Sequence, residues 1–324
     1  MSGKKISRRK MIQNSGLALL GAATGFGFLK SKTSNKTVRK DHGLPFRISM
    51  NTSTLQAYDL PADKQIRLVA EAGFEGIEMW VRDIRSYIDA GGTAEELGEL
   101  LDSNNLLLEN MIGFSEWISD DVNTREEAIE ILKSDMEMIA AMGGKYIAAP
   151  VQGIDSIDRT KFDDYAQRYH AILELGEETG VIPILEVWGT GALHKVTDCA
   201  HIAIGSGHPD ATVLFDFYHV YRGGNDWDTV DLVNAGKLPV MHMNDYPANP
   251  PRDELTDADR VFPGEGICPY DEVIPKLYHA GFRGGFSVEL FNREYWSSMD
   301  AETILKESYE RTVGVLLEAM EGIK

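Results

Sequence analysis

Four acidic or imidazole side chains stand out within short apolar segments in the second half of the chain. The segments read ILEVW, LFDFYH, VMHMND and SVELF, and the residues in question are Glu186, Asp216, His242 and Glu289. A charged side chain in such a segment is costly to bury unless it is paired or binds a metal, and no Lys or Arg stands within these segments. We therefore favour one divalent cation held by all four residues. Three oxygens and one nitrogen suit Mn²⁺, our first choice, and also Mg²⁺, Co²⁺ or Zn²⁺.

A site of this kind can support chemistry at a carbon next to a carbonyl group. The C–H bond there is weakly acidic, and a cation bound to carbonyl and hydroxyl oxygens stabilises the enediolate formed when the proton leaves. One carboxylate can take the proton and a second can return it. Return to the opposite face is epimerisation, and return to the adjacent carbon is aldose–ketose isomerisation. Loss of a β-hydroxyl group from the same enediolate is dehydration.

The elements that must position these side chains alternate between strand-type and helix-type patterns. Eight strands are predicted, at Phe46–Ser53, Gly76–Val81, Leu106–Ile112, Lys145–Pro150, Val181–Trp188, Thr212–Phe217, Pro239–Asn244 and Gly285–Phe291. Apolar residues at helical spacing predict helices between or after them, at Lys64–Ala72, Arg125–Met142, Phe162–Thr179, Tyr270–Ala280 and Asp300–Met320. A glycine follows several of these helices, as expected where the backbone turns left-handed at a helix end.

One strand recurs about every 31 residues, which fits a strand–helix repeat of about 30 residues. Alternating strands and helices indicate a parallel sheet, and eight repeats indicate a closed (β/α)8 TIM barrel as a single domain. The four candidate ligands then lie at the carboxyl ends of consecutive strands, where such barrels carry their active sites. An open doubly wound sheet is the alternative. The sequence lacks a glycine-rich dinucleotide motif and a P-loop, which disfavours the nucleotide-binding forms of that fold.

Composition excludes several classes of protein. Hydrophobic residues make up 43% and charged residues 26% of the 324 residues, which is typical of a globular enzyme and not of a disordered, collagen-like or multi-span membrane protein. The formal charge is −19, and residues 41–324 alone hold 22 basic and 51 acidic residues. Nucleic-acid binding needs a basic surface, so we expect no nucleic-acid partner.

Residues 1–40 differ from the rest of the chain because they hold ten basic residues and no acidic one. The segment SRRKMI at residues 7–12 resembles a bacterial twin-arginine export signal, and an apolar stretch too short to span a bilayer comfortably follows at Gly16–Leu29. We therefore expect a signal at 1–30, a linker at 31–43 and the barrel at 44–324. The predicted location is the periplasm, with a membrane tether if the signal is not cleaved.

Several motifs together resemble the sugar-phosphate isomerase/epimerase superfamily of xylose isomerase-like TIM barrels. They are AEAGFEGIE at 70–78, LEVWG at 185–189, FDFYH at 215–219, HMNDYP at 242–247, PGEG at 263–266 and GFRGGFSVEL at 281–290. Members of this superfamily include ketose 3-epimerases, hydroxypyruvate isomerases and inosose dehydratases. The resemblance covers roughly residues 46–318.

The resemblance implies roles for individual residues. Glu186, Asp216, His242 and Glu289 match the four metal ligands of the family, and the two glutamates match its catalytic acid and base. His219 matches a histidine that contacts substrate hydroxyls, and Arg252 is the nearest match to an arginine that does likewise. Inosose dehydratases tend to lack the strand-five glutamate, so Glu186 favours the epimerase and isomerase branch.

Three further polar or aromatic residues are candidates for substrate contact. Trp188 ends strand five and either lines a sugar pocket or packs in the core. Glu109 lies in strand three and either binds substrate or bonds a neighbouring strand. His194 precedes a helix and either contacts substrate or caps that helix.

The leading hypothesis is a divalent-metal-dependent sugar isomerase or epimerase, with a small-molecule sugar or keto-sugar as its partner. A dehydratase or lyase acting on a keto-sugar or keto-inositol is the main alternative. A non-catalytic sugar-binding protein is a remote one, because the acid/base pair is intact. An apurinic-site endonuclease of the same superfamily is disfavoured by the eight histidines and the acidic charge. Barrels of this kind often dimerise, so a homodimer is possible.

Overall fold

The computed structural model describes residues 42–323, and its centre is a closed barrel of eight parallel strands. Each strand pairs with the next and the eighth returns to the first. The strands are β1 (Arg47–Asn51), β2 (Gly76–Trp80), β3 (Leu107–Ile112), β4 (Tyr146–Pro150), β5 (Ile182–Glu186), β6 (Val213–Asp216), β7 (Val240–Met243) and β8 (Gly285–Val288). All eight lie within the segments that the sequence predicts. The TIM barrel is therefore confirmed and the open sheet is wrong.

Helices cover the outside of the barrel. They are α1 (Ala62–Glu71), α2 (Val81–Asp89), α3 (Ala94–Ser103), α4 (Val122–Ala141), α5 (Phe162–Thr179), α6 (Val196–Gly205), α7 (Phe217–Arg222), α8 (Tyr270–His279), α9 (Arg293–Ser298) and α10 (Ala301–Ala319). The glycines after α1, α4, α5 and α8 have φ values of 100°, 81°, 78° and 98°, which confirms the predicted left-handed helix ends. Among residues 42–323, no helix combines the length and the apolar character needed to cross a membrane.

The barrel interior is layered because alternate residues of each strand point inward. An apolar layer in the middle is formed by side chains from successive strands, among them Ile112, Ala148, Ile184, Leu214 and Val240. The four candidate ligands lie beyond this layer, toward the carboxyl ends of the strands. The apolar layer therefore forms the floor of the candidate site.

Glu109 belongs to the opposite end of the barrel, which corrects its assignment to the substrate. Pairing between β2 and β3 runs from Ile77↔Leu108 directly to Glu78↔Asn110, so Glu109 is an extra residue in β3. Its carboxylate accepts hydrogen bonds from Arg47 Nε (2.6 Å) and Ser49 Oγ (2.9 Å) at the amino ends of the strands. Glu109 therefore holds the barrel base together and lies on the far side of the apolar layer from the ligands.

The predicted signal at 1–30 and most of the predicted linker lie outside the described residues.

Candidate active site

The four strand-end side chains converge around the imidazole ring of His242. His242 Nδ1 lies 3.2 Å from Glu289 Oε2 and 3.6 Å from both Glu186 Oε1 and Asp216 Oδ2. Each of the four residues is at most 5% exposed. Ligand atoms of Asp216, His242 and Glu289 lie within 4.8 Å of one another, so these three residues form a group that could hold a metal ion. Glu186 reaches the same imidazole nitrogen from β5.

The charges in this cluster do not balance. Four buried carboxylates face one buried guanidinium group and one imidazole ring, and the carboxylates belong to Glu78, Glu186, Asp216 and Glu289. A buried negative charge is costly unless it is neutralised. Arg260 supplies one positive charge. When the four carboxylates are ionised and His242 is neutral, as it must be to bind a metal, three negative charges remain, and one divalent cation would offset two of them.

Two buried polar atoms at the centre of the cluster also fit a metal ion. Within residues 42–323, neither Glu186 Oε2 nor His242 Nδ1 takes part in a hydrogen bond. Buried polar atoms normally have a partner, and an exception needs an explanation such as an ion. A nitrogen that faces three carboxylate oxygens without a hydrogen bond is placed as a metal ligand would be. The donor set of this cluster therefore fits a divalent cation.

The other nitrogen of His242 is held by a carboxylate that the sequence analysis did not assign. His242 Nε2 lies 3.2 Å from Glu78 Oε2, and Asn110 Nδ2 donates to Glu78 Oε1 at 2.9 Å. A carboxylate on the second nitrogen fixes the ring orientation and tautomer of a metal-binding histidine. Glu78 could have been found in the sequence, because it is a lone carboxylate in an apolar strand, as are Glu186, Asp216 and Glu289.

Arg260, and not Arg252, is the arginine of this site. Its Nη1 donates to Glu289 Oε2 at 2.6 Å and to Asp216 Oδ2 at 3.0 Å. Its guanidinium carbon lies 4.5 Å from the ring centre of Tyr218, and the residue is 1% exposed. The assignment of Arg252 is therefore corrected. Each carboxylate oxygen has a second lone pair, so these contacts leave both oxygens able to bind a cation.

A loop anchored on Asp245 carries Arg260 into the barrel mouth. Asp245 and Val261 pair as an isolated bridge with two backbone hydrogen bonds of 2.9 Å. The Asp245 carboxylate also accepts hydrogen bonds from the backbone N–H groups of Gly264 (3.0 Å), Gly266 (2.9 Å) and Cys268 (2.9 Å). The PGEG motif at 263–266 is part of this loop, and these bonds tie it to Asp245, two residues after the end of β7.

Burial and mutual charge shift the pKa values of the cluster in opposite directions. Burial raises the pKa of Glu186 to about 8, against the opposing effect of His242. Burial also raises the pKa of Asp216 to about 6, although Arg260 opposes it. Burial would lower the pKa of His242, but the carboxylates of Glu289 and Glu78 hold it well above its usual value. Burial would raise the pKa of Glu289, but His242 and Arg260 hold it below its usual value.

His219 lines the cavity above the cluster and has one ring nitrogen without a partner among the described residues. Arg260 Nη2 lies 3.0 Å from His219 Nε2, and because a guanidinium group only donates, Nε2 must be the acceptor. Burial and Arg260 both lower the pKa of His219, so the ring is neutral. The proton therefore resides on Nδ1, a buried atom with no partner in the described part of the chain. This N–H group is therefore left without a hydrogen-bond acceptor within residues 42–323.

A cavity of about 190 Å³ lies above the cluster, lined by Glu186, Glu289, Arg260 and a set of ring side chains. The rings belong to Trp80, Phe114, Trp188, His219 and Phe291. Trp188 and His219 therefore lie where the sequence places them. His194 and Arg252 do not, because both line a separate, more open depression that also contains Lys195 and Arg222.

Family comparison agrees with this architecture. A family model described as a xylose isomerase-like TIM barrel matches residues 66–313, which include all four strand-end residues. The chain belongs to the xylose isomerase-like TIM barrel family. Family membership confirms the superfamily resemblance that the motifs indicate. The twin-arginine signal stays a prediction.

Individual proteins that are similar to this chain extend the comparison. The chain is 26% identical to an inosose isomerase of Bacillus velezensis over 272 residues, which cover 82% of this chain and 94% of the relative. A crystal structure of the IolI protein with a bound zinc atom matches 85% of this chain and 100% of its own, with a TM-score of 0.78 and 21% identity. An L-ribulose 3-epimerase structure matches 85% of this chain and 95% of its own, with a TM-score of 0.68 and 17% identity. The Bacillus velezensis relative supports an enzyme of the isomerase type, and the two solved structures share the fold of this chain.

Proposed function

We propose that the protein is a divalent-metal-dependent sugar isomerase or epimerase that removes a proton from the carbon next to a carbonyl group. The observation that carries this proposal is the uncompensated negative charge around His242, together with the unpartnered atoms Glu186 Oε2 and His242 Nδ1. Mn²⁺ is the ion that we propose first, because hard oxygen ligands dominate the set. Zn²⁺ comes next, because the similar IolI structure binds zinc.

The bound ion would polarise the substrate carbonyl group and so acidify the neighbouring C–H bond. Glu186 and Glu289 both line the cavity, and they reach it from strands that are three positions apart in the barrel. The two carboxylates therefore approach a bound sugar from different directions. We assign proton removal and return to this pair, which accounts for either epimerisation or isomerisation.

Neighbouring side chains hold the two glutamates in different states. Glu289 Oε1 accepts a hydrogen bond from Asn51 Nδ2 at 3.1 Å, and Glu289 Oε2 accepts one from Arg260 at 2.6 Å. These donors keep Glu289 ionised. Glu186 Oε2 has no such donor among the described residues, so Glu186 is the group that gains a proton more readily. His219 Nδ1–H and the tryptophan rings then orient the sugar.

The test is proton exchange in D2O. Metal-loaded protein is incubated with ketoses and inososes and followed by NMR, since the relative is named for inosose. We expect loss of one C–H signal and the appearance of an epimer or isomer, both abolished in Glu186→Gln and Glu289→Gln and retained in the exposed control Glu318→Gln. Exchange that ends in a dehydrated product would show that the protein is a dehydratase and would contradict this proposal. A sugar that binds but never exchanges its proton would favour a non-catalytic sugar-binding protein.

We also propose that the protein is exported through the twin-arginine route. The support is the Arg8-Arg9 pair and the change from a basic segment to an acidic body. Arg8→Lys/Arg9→Lys protein should stay in the cytoplasm when wild-type protein reaches the periplasm. Equal distribution of the two in cell fractions would argue against export.

A further inference from the structure

A second, larger cavity lies beside the catalytic one. The inner cavity measures about 190 Å³, which is below the range of roughly 300–1,000 Å³ typical of small-molecule sites. An outer cavity of about 520 Å³ shares Trp80, Ile112 and Phe114 with it. The two cavities therefore lie side by side, with these three side chains at their common boundary.

The outer cavity presents apolar side chains that other residues leave uncovered. Phe114 is 44% exposed and Ile131, on α4, is 49% exposed. Both line the outer cavity together with the ring of Trp80, whose centre lies 5.1 Å from that of Phe114. Apolar rings of this kind attract the C–H face of a pyranose, because aromatic faces carry partial negative charge. The hydroxyl groups of such a ring would reach the polar rim.

The charged groups around the outer cavity favour a neutral occupant. Arg85 forms an ion pair with Asp135, and Arg82 lies 4.3 Å above the Trp80 ring. Two arginines and three acidic residues line this cavity, so neither charge dominates. A phosphate or carboxylate group would find no surplus of positive charge here.

The basic depression beside His194 and Arg252 is a weaker candidate for an extended substrate. Lys195 Nζ donates to the Gly223 carbonyl oxygen at 2.7 Å, and Arg222 Nη2 donates to that of Asp253 at 2.8 Å. Two of its positive groups therefore already bind backbone. It shares only Thr190 with the catalytic cavity.

We propose that the outer cavity is a second sugar subsite and that the natural substrate is a two-ring keto-sugar. The reactive ketose unit lies in the inner cavity, and a glycosidically linked pyranose packs on Phe114 and Ile131. This proposal deepens the proposed function and rests on it for the chemistry of the first ring.

The first test compares one-ring and two-ring ligands by calorimetric titration of the metal-loaded protein. The probes are D-fructose and the glucosyl-fructoses turanose, maltulose, leucrose and isomaltulose. We expect at least one disaccharide to bind about tenfold more tightly than fructose. Ile131→Ala and Ile131→Arg should reduce this difference in affinity from about tenfold to about threefold or less, without changing the affinity for fructose. The matched controls Ile204→Ala and Ile204→Arg change an exposed position of α6 and should leave the preference for the disaccharide unchanged.

The second test follows α-proton exchange of the same sugars in D2O, which separates the two proposals. Preferential disaccharide binding without exchange would support the subsite and refute the sugar isomerase. Exchange on fructose without any disaccharide preference in binding would support the isomerase and refute the subsite. A preference that survives both Ile131 substitutions would also refute the subsite.

Discussion

Metal affinity should rise steeply with pH, because the candidate ligands must lose protons before an ion binds. Burial raises the pKa of Glu186 to about 8, so Glu186 is mostly protonated in the metal-free protein at neutral pH. His242 carries a second proton, because Glu289 and Glu78 hold its pKa well above the usual value against the effect of burial. A divalent cation must displace both protons to bind Glu186 and His242 Nδ1.

The magnitude follows from the pKa of Glu186. Below pH 8 or so, each decrease of one pH unit makes the deprotonated form of Glu186 tenfold rarer. This costs about 1.4 kcal/mol of metal-binding free energy per pH unit. Between pH 9 and pH 6, Glu186 alone should weaken metal binding about 100-fold. His242 acts in the same direction, so the slope near pH 7 should lie between about one and two decades per pH unit. Above pH 8 the contribution of Glu186 disappears.

The assay is calorimetric titration of the metal-free protein with Mn²⁺ or Zn²⁺ in buffers of different ionisation enthalpy, which counts the protons released. We expect between about one and two protons per ion at pH 7. Glu186→Gln should release about one proton fewer per bound ion. Glu109→Gln, a buried glutamate at the other end of the barrel, should release as many as the wild type. An affinity that does not change between pH 6 and pH 9, or binding without proton release, would refute this reasoning.

Three further substitutions test other parts of the account. In urea unfolding of the metal-free protein, Arg260→Met should lower the free energy of unfolding by about 3–5 kcal/mol, because it leaves two buried carboxylates without a positive partner. Arg252→Met should change the free energy of unfolding by at most about 0.5 kcal/mol. Equal losses for the two variants would contradict the assigned role of Arg260. Glu78→Gln should weaken metal binding about 10- to 100-fold by calorimetry, and unchanged affinity would show that His242 needs no carboxylate. Arg47→Met should lower the free energy of unfolding by at most about 3 kcal/mol without altering metal affinity. A changed metal affinity would show that the barrel base contributes to the metal site.

The strands and the main helices were predictable because each signal is local. A buried strand is a short apolar segment, and a helix end is marked by a glycine such as Gly180, whose φ is 78°. The convergence of the four ligands was predictable because parallel strands of a barrel end on one face. No long-range contact had to be known for either inference.

The misassigned residues depend on contacts that local sequence does not reveal. Arg260 reaches the site because Asp245 binds the loop that follows it, so distance along the chain from β7 wrongly favoured Arg252. For Glu109, the sequence left open a contact with substrate or a bond to a neighbouring strand. The extra residue in the pairing of β3 with β2 directs the carboxylate to Arg47 at the barrel base. His194 follows β5 closely, yet it lies in the neighbouring depression.

The central claim is that one divalent cation binds between the ends of β5, β6, β7 and β8. Anomalous diffraction from crystals soaked in Mn²⁺ tests it most directly. The account predicts one strong peak at about 2.0–2.3 Å from oxygens of Glu186, Asp216 and Glu289 and from Nδ1 of His242. No peak between these side chains, or a peak bound only at other residues, would contradict it.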